Sequence, residues 1–169
     1  MIKLNKILIL QGGKNEEHKV SMTTAKEIKK VLLKNKINYE SILVDPKKFE
    51  KKINKYSKKL ILFNALHGTF GEDGQIQKIL KKYKFKYTHS GIVSSRVCFN
   101  KIKSKKMLKK VNIPTPNFDK YSSKLLNKKN LNKIKNKYNK FVIKPNESDS
   151  SFGVNVIKNN KDYNNLIAN

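Results

Sequence analysis

Apolar residues recur along the chain in two rhythms. Short β-type runs at residues 6–11, Tyr39–Val44 and residues 60–63 have the length of strands, and the third, wholly apolar, looks buried. Between them the spacing becomes helical. Ile28, Val31 and Leu32 follow Thr24 and Glu27, a pair that resembles a capping box. Asp45-Pro46 ends the second run, and a lysine-rich helical stretch connects it to the third. Ile76, Ile79, Leu80 and Tyr83 then mark the apolar face of another helix. Strands alternating with helices predict an α/β fold with a parallel, doubly wound sheet.

Past residue 86 the pattern loosens. Tyr87-Thr88-His89-Ser90-Gly91 reads as a turn before a short helix. Residues 101–111 predict a helix with Ile102, Leu108 and Val111 inward, stopped by Pro114 and Pro116. Residues 122–140 are rich in Lys and Asn, yet Leu131, Ile134 and Tyr138 keep helical spacing, which predicts a surface helix. Phe141–Ile143 and residues 154–157 read as a hairpin around a Ser- and Gly-containing loop, with a last helix after it. The expected organisation is a Rossmann-like domain over residues 1–98 and an incomplete second domain over 99–169, too small to cover its own apolar faces.

The formal net charge of +27 and the sequence pI near 10.1 raise the possibility of a nucleic-acid partner. Arg96 is the only arginine, however, and the lysines are dispersed from end to end. Guanidinium forks are the usual tool for reading bases, so no specific nucleic-acid role is expected. Cys98 is the only cysteine, which excludes an intrachain disulfide and a cysteine-based zinc cluster. The first apolar run is too short for a membrane span or a signal-peptide core. A cytoplasmic protein with no membrane partner is the expectation.

Candidate chemistry gathers where predicted strands end. After the first strand comes G-G-K-N-E-E-H-K-V-S, and after the third A-L-H-G-T-F-G-E-D-G-Q-I-Q. Neither the dinucleotide fingerprint nor a G-K-S/T phosphate loop is present. Glu17 could bind an ammonium group above the sheet edge, although plain loop carboxylates are commoner. His67 could orient a substrate carboxylate or simply be satisfied in the core. Glu72 and Asp73 are read as first-turn charges complementing the dipole of the helix. They form no standard metal set with His67. Lys144 ends an apolar strand before Ser148, Ser150 and Ser151. It reads either as a fixed point charge for a phosphate or as a strand-end lysine beside a solvated turn.

Taken in order, these stretches resemble the D-alanine–D-alanine ligases of the ATP-grasp superfamily. The resemblance rests on residues 12–21, on residues 65–77, on Y-T-H-S-G with the K-x-x-S-K that starts at Lys101, and on I-K-P with S-S-F-G ending at Gly153. It spans the whole chain but only about the first half of a family member. It implies a Rossmann-like (pre-ATP-grasp) substrate domain followed by the beginning of an ATP-grasp central domain. It also implies D-alanine and ATP as substrates, Mg2+ or Mn2+ held by carboxylates of the later part, and a homodimer formed through the N-terminal domain. By the match, Glu17 would anchor the ammonium of the first D-alanine, His67 would sit at its carboxylate, and Ser150 would help hold Glu17. Lys101 and Lys144 would bind ATP phosphates, with Ser151 in the loop above them. Asn100 stands where the family usually has aspartate, and Asp149 where it usually has glycine. No metal ligand is assigned in this chain, which is expected to lack ligase activity alone. The alternative expectation is a non-catalytic remnant or small-ligand binding module.

Overall fold

Strand β1 (Ile7–Gly12) lies inside a parallel sheet, between β2 (Tyr39–Val44) and β3 (Ile61–Asn64). A short β4 (Lys86–Tyr87) completes the order β2-β1-β3-β4. In register, Leu10 of β1 faces Ile42 on one side and Asn64 on the other. The computed structural model describes residues 6–148 and 153–168, and the chain forms two compact units, one ending at Lys101 and one beginning at Ile102.

Alternation along β1 assigns its side chains to two cores. Leu8 and Leu10 join the cluster that α2 (Pro46–Ile53) and α3 (Gln75–Lys82) cover with Phe49, Ile53, Ile76 and Leu80. Ile9 points the other way, toward Ala25 and Leu32 of α1 (His18–Lys34). Parallel crossovers are right-handed, so the connection from β1 to β2 and those from β2 to β3 and β3 to β4, which run in opposite directions along the sheet, must cross on opposite faces. That is why α1 lies on one side and α2 and α3 on the other. The chain direction therefore switches between β1 and β3, at the carboxyl edge of the sheet.

Local chemistry sets the element ends. Asp45 caps α2 by accepting the Lys47 N–H at 3.0 Å, and Pro46 starts the helix where no backbone donor is needed. The capping box read at Thr24 and Glu27 does not form, because α1 begins at His18 and Thr24 lies inside it. Val31, expected inward, is 58% exposed, and the buried stripe instead runs through Ser21, Ala25 and Leu32 with Ile28 beside them. The spacing of that stripe is helical, but two of its members are small rather than strongly apolar. They let the helix lie close to the sheet. Strand β4 was read as a turn because a two-residue strand carries no periodicity.

Helices α4 (Ile92–Phe99) and α5 (Lys101–Lys110) follow. Val111, expected inward, lies just past α5 and is exposed. In the second unit, α6 (Lys128–Tyr138) is capped by Asn127, which accepts the Asn130 N–H at 3.0 Å. Strands β5 (Phe141–Ile143) and β6 (Asn155–Ile157) pair as an antiparallel hairpin, and α7 (Asn160–Ala168) comes last. Leu131, Ile134, Ile157 and Tyr163 form its core. Among the described residues no helix is long and apolar enough to cross a membrane.

The first core hinges on Phe49, whose ring meets Phe70 edge-on with centroids 5.8 Å apart. Phe49→Ala is expected to lower the unfolding free energy by about 3–5 kcal/mol, whereas Val31→Ala stays within about 0.5 kcal/mol. Urea denaturation of both variants checks this. Equal losses would contradict the placement of α1.

Candidate functional site

The carboxyl edge at a topological switch point is where open α/β sheets hold ligands, because the loops after neighbouring strands part there. Here those loops follow β1 and β3. The first opens with Gly12 and Gly13, both at positive φ, and the Gly12 N–H donates to Ser21 Oγ at 2.8 Å. His18 Nδ1–H donates to the Gly13 carbonyl at 2.8 Å, which folds the loop back onto α1.

Asn15 ties the two loops together. Its Nδ2 donates to the carbonyls of His67 at 2.8 Å and Thr69 at 3.1 Å, while its Oδ1 accepts the Glu17 N–H at 3.1 Å. One amide thus fixes both the start of α1 and the turn after β3. Glu17 occupies the N-cap of α1 and is only 4% exposed, yet its side chain does not cap the helix. Its carboxylate instead lies against Gly68, where an added Cβ would come 2.2 Å from Oε2. Gly68 also has φ +67. Glycine is required there on two independent grounds, contact and backbone conformation. A carboxylate at a helix N-terminus is stabilised by the dipole, which favours a buried Glu17 at this position.

His67 is half-buried at the end of the same loop segment, and its Nε2 hydrogen-bonds with Thr24 Oγ1 at 2.9 Å. Glu17 directly precedes α1 and Thr24 lies within it, so that helix helps position both Glu17 and His67. A carboxylate and an imidazole at one sheet edge suit a small zwitterion, with the ammonium toward Glu17 and the anionic end toward His67.

The turn that carries Gly68 is braced from below. Glu72 Oε2 accepts the Gly68 N–H at 2.7 Å, and Asp73 accepts from Phe70 at 3.0 Å and from Gln75 at 2.9 Å. Asn64 and Gln77 both donate to the Gly71 carbonyl at 2.9 Å. Glu72 and Asp73 were read as first-turn charges of a helix, and the structure corrects this. Helix α3 starts at Gln75 after Gly74, with Gly74 at φ +91, and the two carboxylates precede it as acceptors for loop N–H groups. Beyond the site, His89 packs on Tyr87, and burial pushes its imidazole pKa below the usual value.

Asn15 was not singled out from the sequence, Thr24 was read only as a helix cap, and Gly68 only as one of three glycines that let backbone approach a ligand. Gly68 lay within the quoted motif, but the spacing gave no sign that it faces Glu17, a partner 51 positions away in the chain.

Two further candidates lie later in the chain. Lys144 directly follows β5 and is exposed, and Lys101 is the first residue of α5. Lys105 donates to Thr115 Oγ1 and to the Pro116 carbonyl, each at 2.9 Å. Burial, then the charges of Lys144 and Lys109, hold its ammonium pKa below the usual lysine range. Ser150 and Ser151, with Asp149, lie outside the described residues.

Gly68→Ala should destabilise the first unit by roughly 1–3 kcal/mol, from the strained φ and displacement of Glu17. Gly91→Ala, where an added Cβ meets nothing within 4 Å, should be nearly neutral. Thermal unfolding of the two variants compares them, and a Gly68→Ala protein as stable as the parent would contradict the close approach.

No protein-family model matches the chain. The D-alanine–D-alanine ligase of Pelagibacter ubique is 42% identical over 165 residues, covering 92% of this chain and 53% of that protein. The crystal structure of D-alanine–D-alanine ligase from Bacillus anthracis is similar at a TM-score of 0.77 and 30% identity, covering 98% of this chain and 53% of that one. Its complex with ATP gives a TM-score of 0.74 at 29% identity, with 98% and 54% covered. The chain spans about half the length of the relatives it matches. In sequence and in fold, it corresponds to the N-terminal half of the D-alanine–D-alanine ligases.

Proposed function

We propose that this chain supplies the amino-acid site and the first phosphate-binding residues of an ATP-dependent carboxylate–amine ligase that joins two D-alanines for peptidoglycan synthesis. The observation that carries the reading is the buried Glu17 carboxylate, seated on Gly68 at the switch point, in a chain similar to ligases of that substrate. A carboxylate is a poor electrophile until it gains a leaving group. In this chemistry the γ-phosphoryl group of ATP is transferred to one carboxylate oxygen, releasing ADP. The amine of the second amino acid then attacks the acyl carbon, and phosphate leaves.

The roles of this chain follow from charge and position. Glu17 holds the ammonium of the first D-alanine, and Asn15 keeps the Glu17 backbone and the His67 turn at fixed separation. His67, oriented by Thr24, lies toward the substrate carboxylate and presents a polar ring to it. Ser150 acts with Glu17. Lys144 and Lys101 bind the phosphates of ATP as fixed cations, which need no reorganisation as charge shifts during transfer. By the family resemblance, Ser151 is assigned to the same phosphate site. The donor set suits a polyanion: one lysine directly after a strand and another at a helix start. Among the described residues no group of three or more His, Cys, Asp and Glu side chains could hold a metal ion, so Mg2+ or Mn2+ enters this reading only through the part of the family beyond the match.

The reading is tested in a polypeptide carrying this sequence joined to the second half of the Pelagibacter relative. Phosphate release from ATP should be stimulated by D-alanine. Glu17→Gln should raise the KM for D-alanine on the order of 10- to 100-fold while leaving the KM for ATP within about twofold. An equal rise for both substrates would show that Glu17 is no amino-acid anchor. Folded protein that binds D-alanine without turnover would favour a binding module.

A further inference from the structure

One polar contact of the second unit joins segments far apart in the chain. The first N–H groups of a helix have no acceptor within it. At the start of α5, the Ile102 N–H donates to Asn146 Oδ1 at 3.0 Å, across 44 positions of sequence. Asn146 therefore performs the service that a capping residue usually performs from within its own helix.

The position of Asn146 gives this contact a consequence for Lys144. Between the two stands Pro145, whose ring fixes its own φ and disfavours helical backbone at the residue before it. On the other side of Lys144, β5 is held in register by β6, with Ile143 opposite Asn155. The backbone of Lys144 is thus clamped between a strand ladder and a helix cap. Its charge also acts on Lys105, which is already engaged with Thr115 and Pro116. Lys105 and Lys144 thus bring two like charges near one another in the second unit. Free lysines would move apart. A tether that prevents this prepares a site for an anion.

We propose that Asn146 is a positioning residue of the phosphate site: by accepting from Ile102 it holds Lys144 at the amino end of α5, so that the ammonium and the positive helix end act on the same polyphosphate. This rests on the reading that Lys144 binds the phosphates of ATP. Asn146 itself touches no substrate in this scheme. Lys101, directly before Ile102 in the chain, is carried by the same helix end.

Inorganic tripolyphosphate is the probe, titrated by calorimetry into the 169-residue chain in about 0.15 M KCl to screen dispersed lysines. Asn146→Ala should weaken binding roughly three- to tenfold, the worth of one hydrogen bond. In a Lys144→Ala background the same substitution should change binding less than about twofold, because its effect passes through Lys144. Hydrogen exchange should show protection of the Ile102 amide lost in Asn146→Ala and the β5–β6 ladder unchanged. Unaltered binding in Asn146→Ala would overturn the proposal, as would a loss undiminished by Lys144→Ala. A parent chain that does not bind tripolyphosphate, or binds it equally well as Lys144→Ala, would overturn the phosphate reading and this inference with it. Hydrogen exchange at Ile102 would still report separately whether the bond forms.

Discussion

The handedness of two crossovers determines what the first unit can do. Because β1 is followed by a connection to one side and β3 lies on the other, the loops after β1 and β3 part at the carboxyl edge and leave room between them. The buried residues of β1 enforce that arrangement. Leu8, Ile9 and Leu10 are completely shielded from solvent, and they commit one strand to cores on both faces. A slip of one residue would exchange the two sets and place Gln11 among the apolar side chains of α2 and α3.

Within that opening, contact and charge work together. Glu17 is buried, which is costly for a carboxylate unless polar groups or positive dipoles surround it. The helix end beneath it and the polar loop beside it meet that need, and Asn15 joins the two loops so that neither can drift. The absence of a side chain at Gly68 is what allows the loop to close over the carboxylate. The acidic residues beyond, Glu72 and Asp73, serve the turn rather than a ligand. Charge at this sheet edge is thus divided between a buried carboxylate at the start of α1 and carboxylates that support the turn packed against it.

Much of this was legible in the sequence because it follows from local pattern. Short apolar or β-type runs marked β1, β2 and β3, and helical spacing marked α3 and α6. The glycine-rich segments after β1 and β3 marked the edge that carries the chemistry. What was not legible depended on tertiary packing. Ser21 and Ala25 are buried on α1 because the sheet comes close, and neither is apolar enough to announce a core face. Thr24 resembled a cap but partners His67, a residue 43 positions away. Asn146, which no sequence pattern marked, accepts from a helix N–H 44 positions away. Side chains that bond to distant backbone leave no periodic trace.

The most direct test of the central claim is a nuclear magnetic resonance titration of the isotopically labelled chain with D-alanine and, separately, with D-lactate. The two ligands differ in the ammonium group that Glu17 is assigned to hold. D-alanine should shift the amides of residues 12–21 and 67–71, and D-lactate should shift them far less. Equal shifts from both ligands, or shifts confined to other parts of the first unit, would contradict an ammonium-binding site at the junction of β1 and β3.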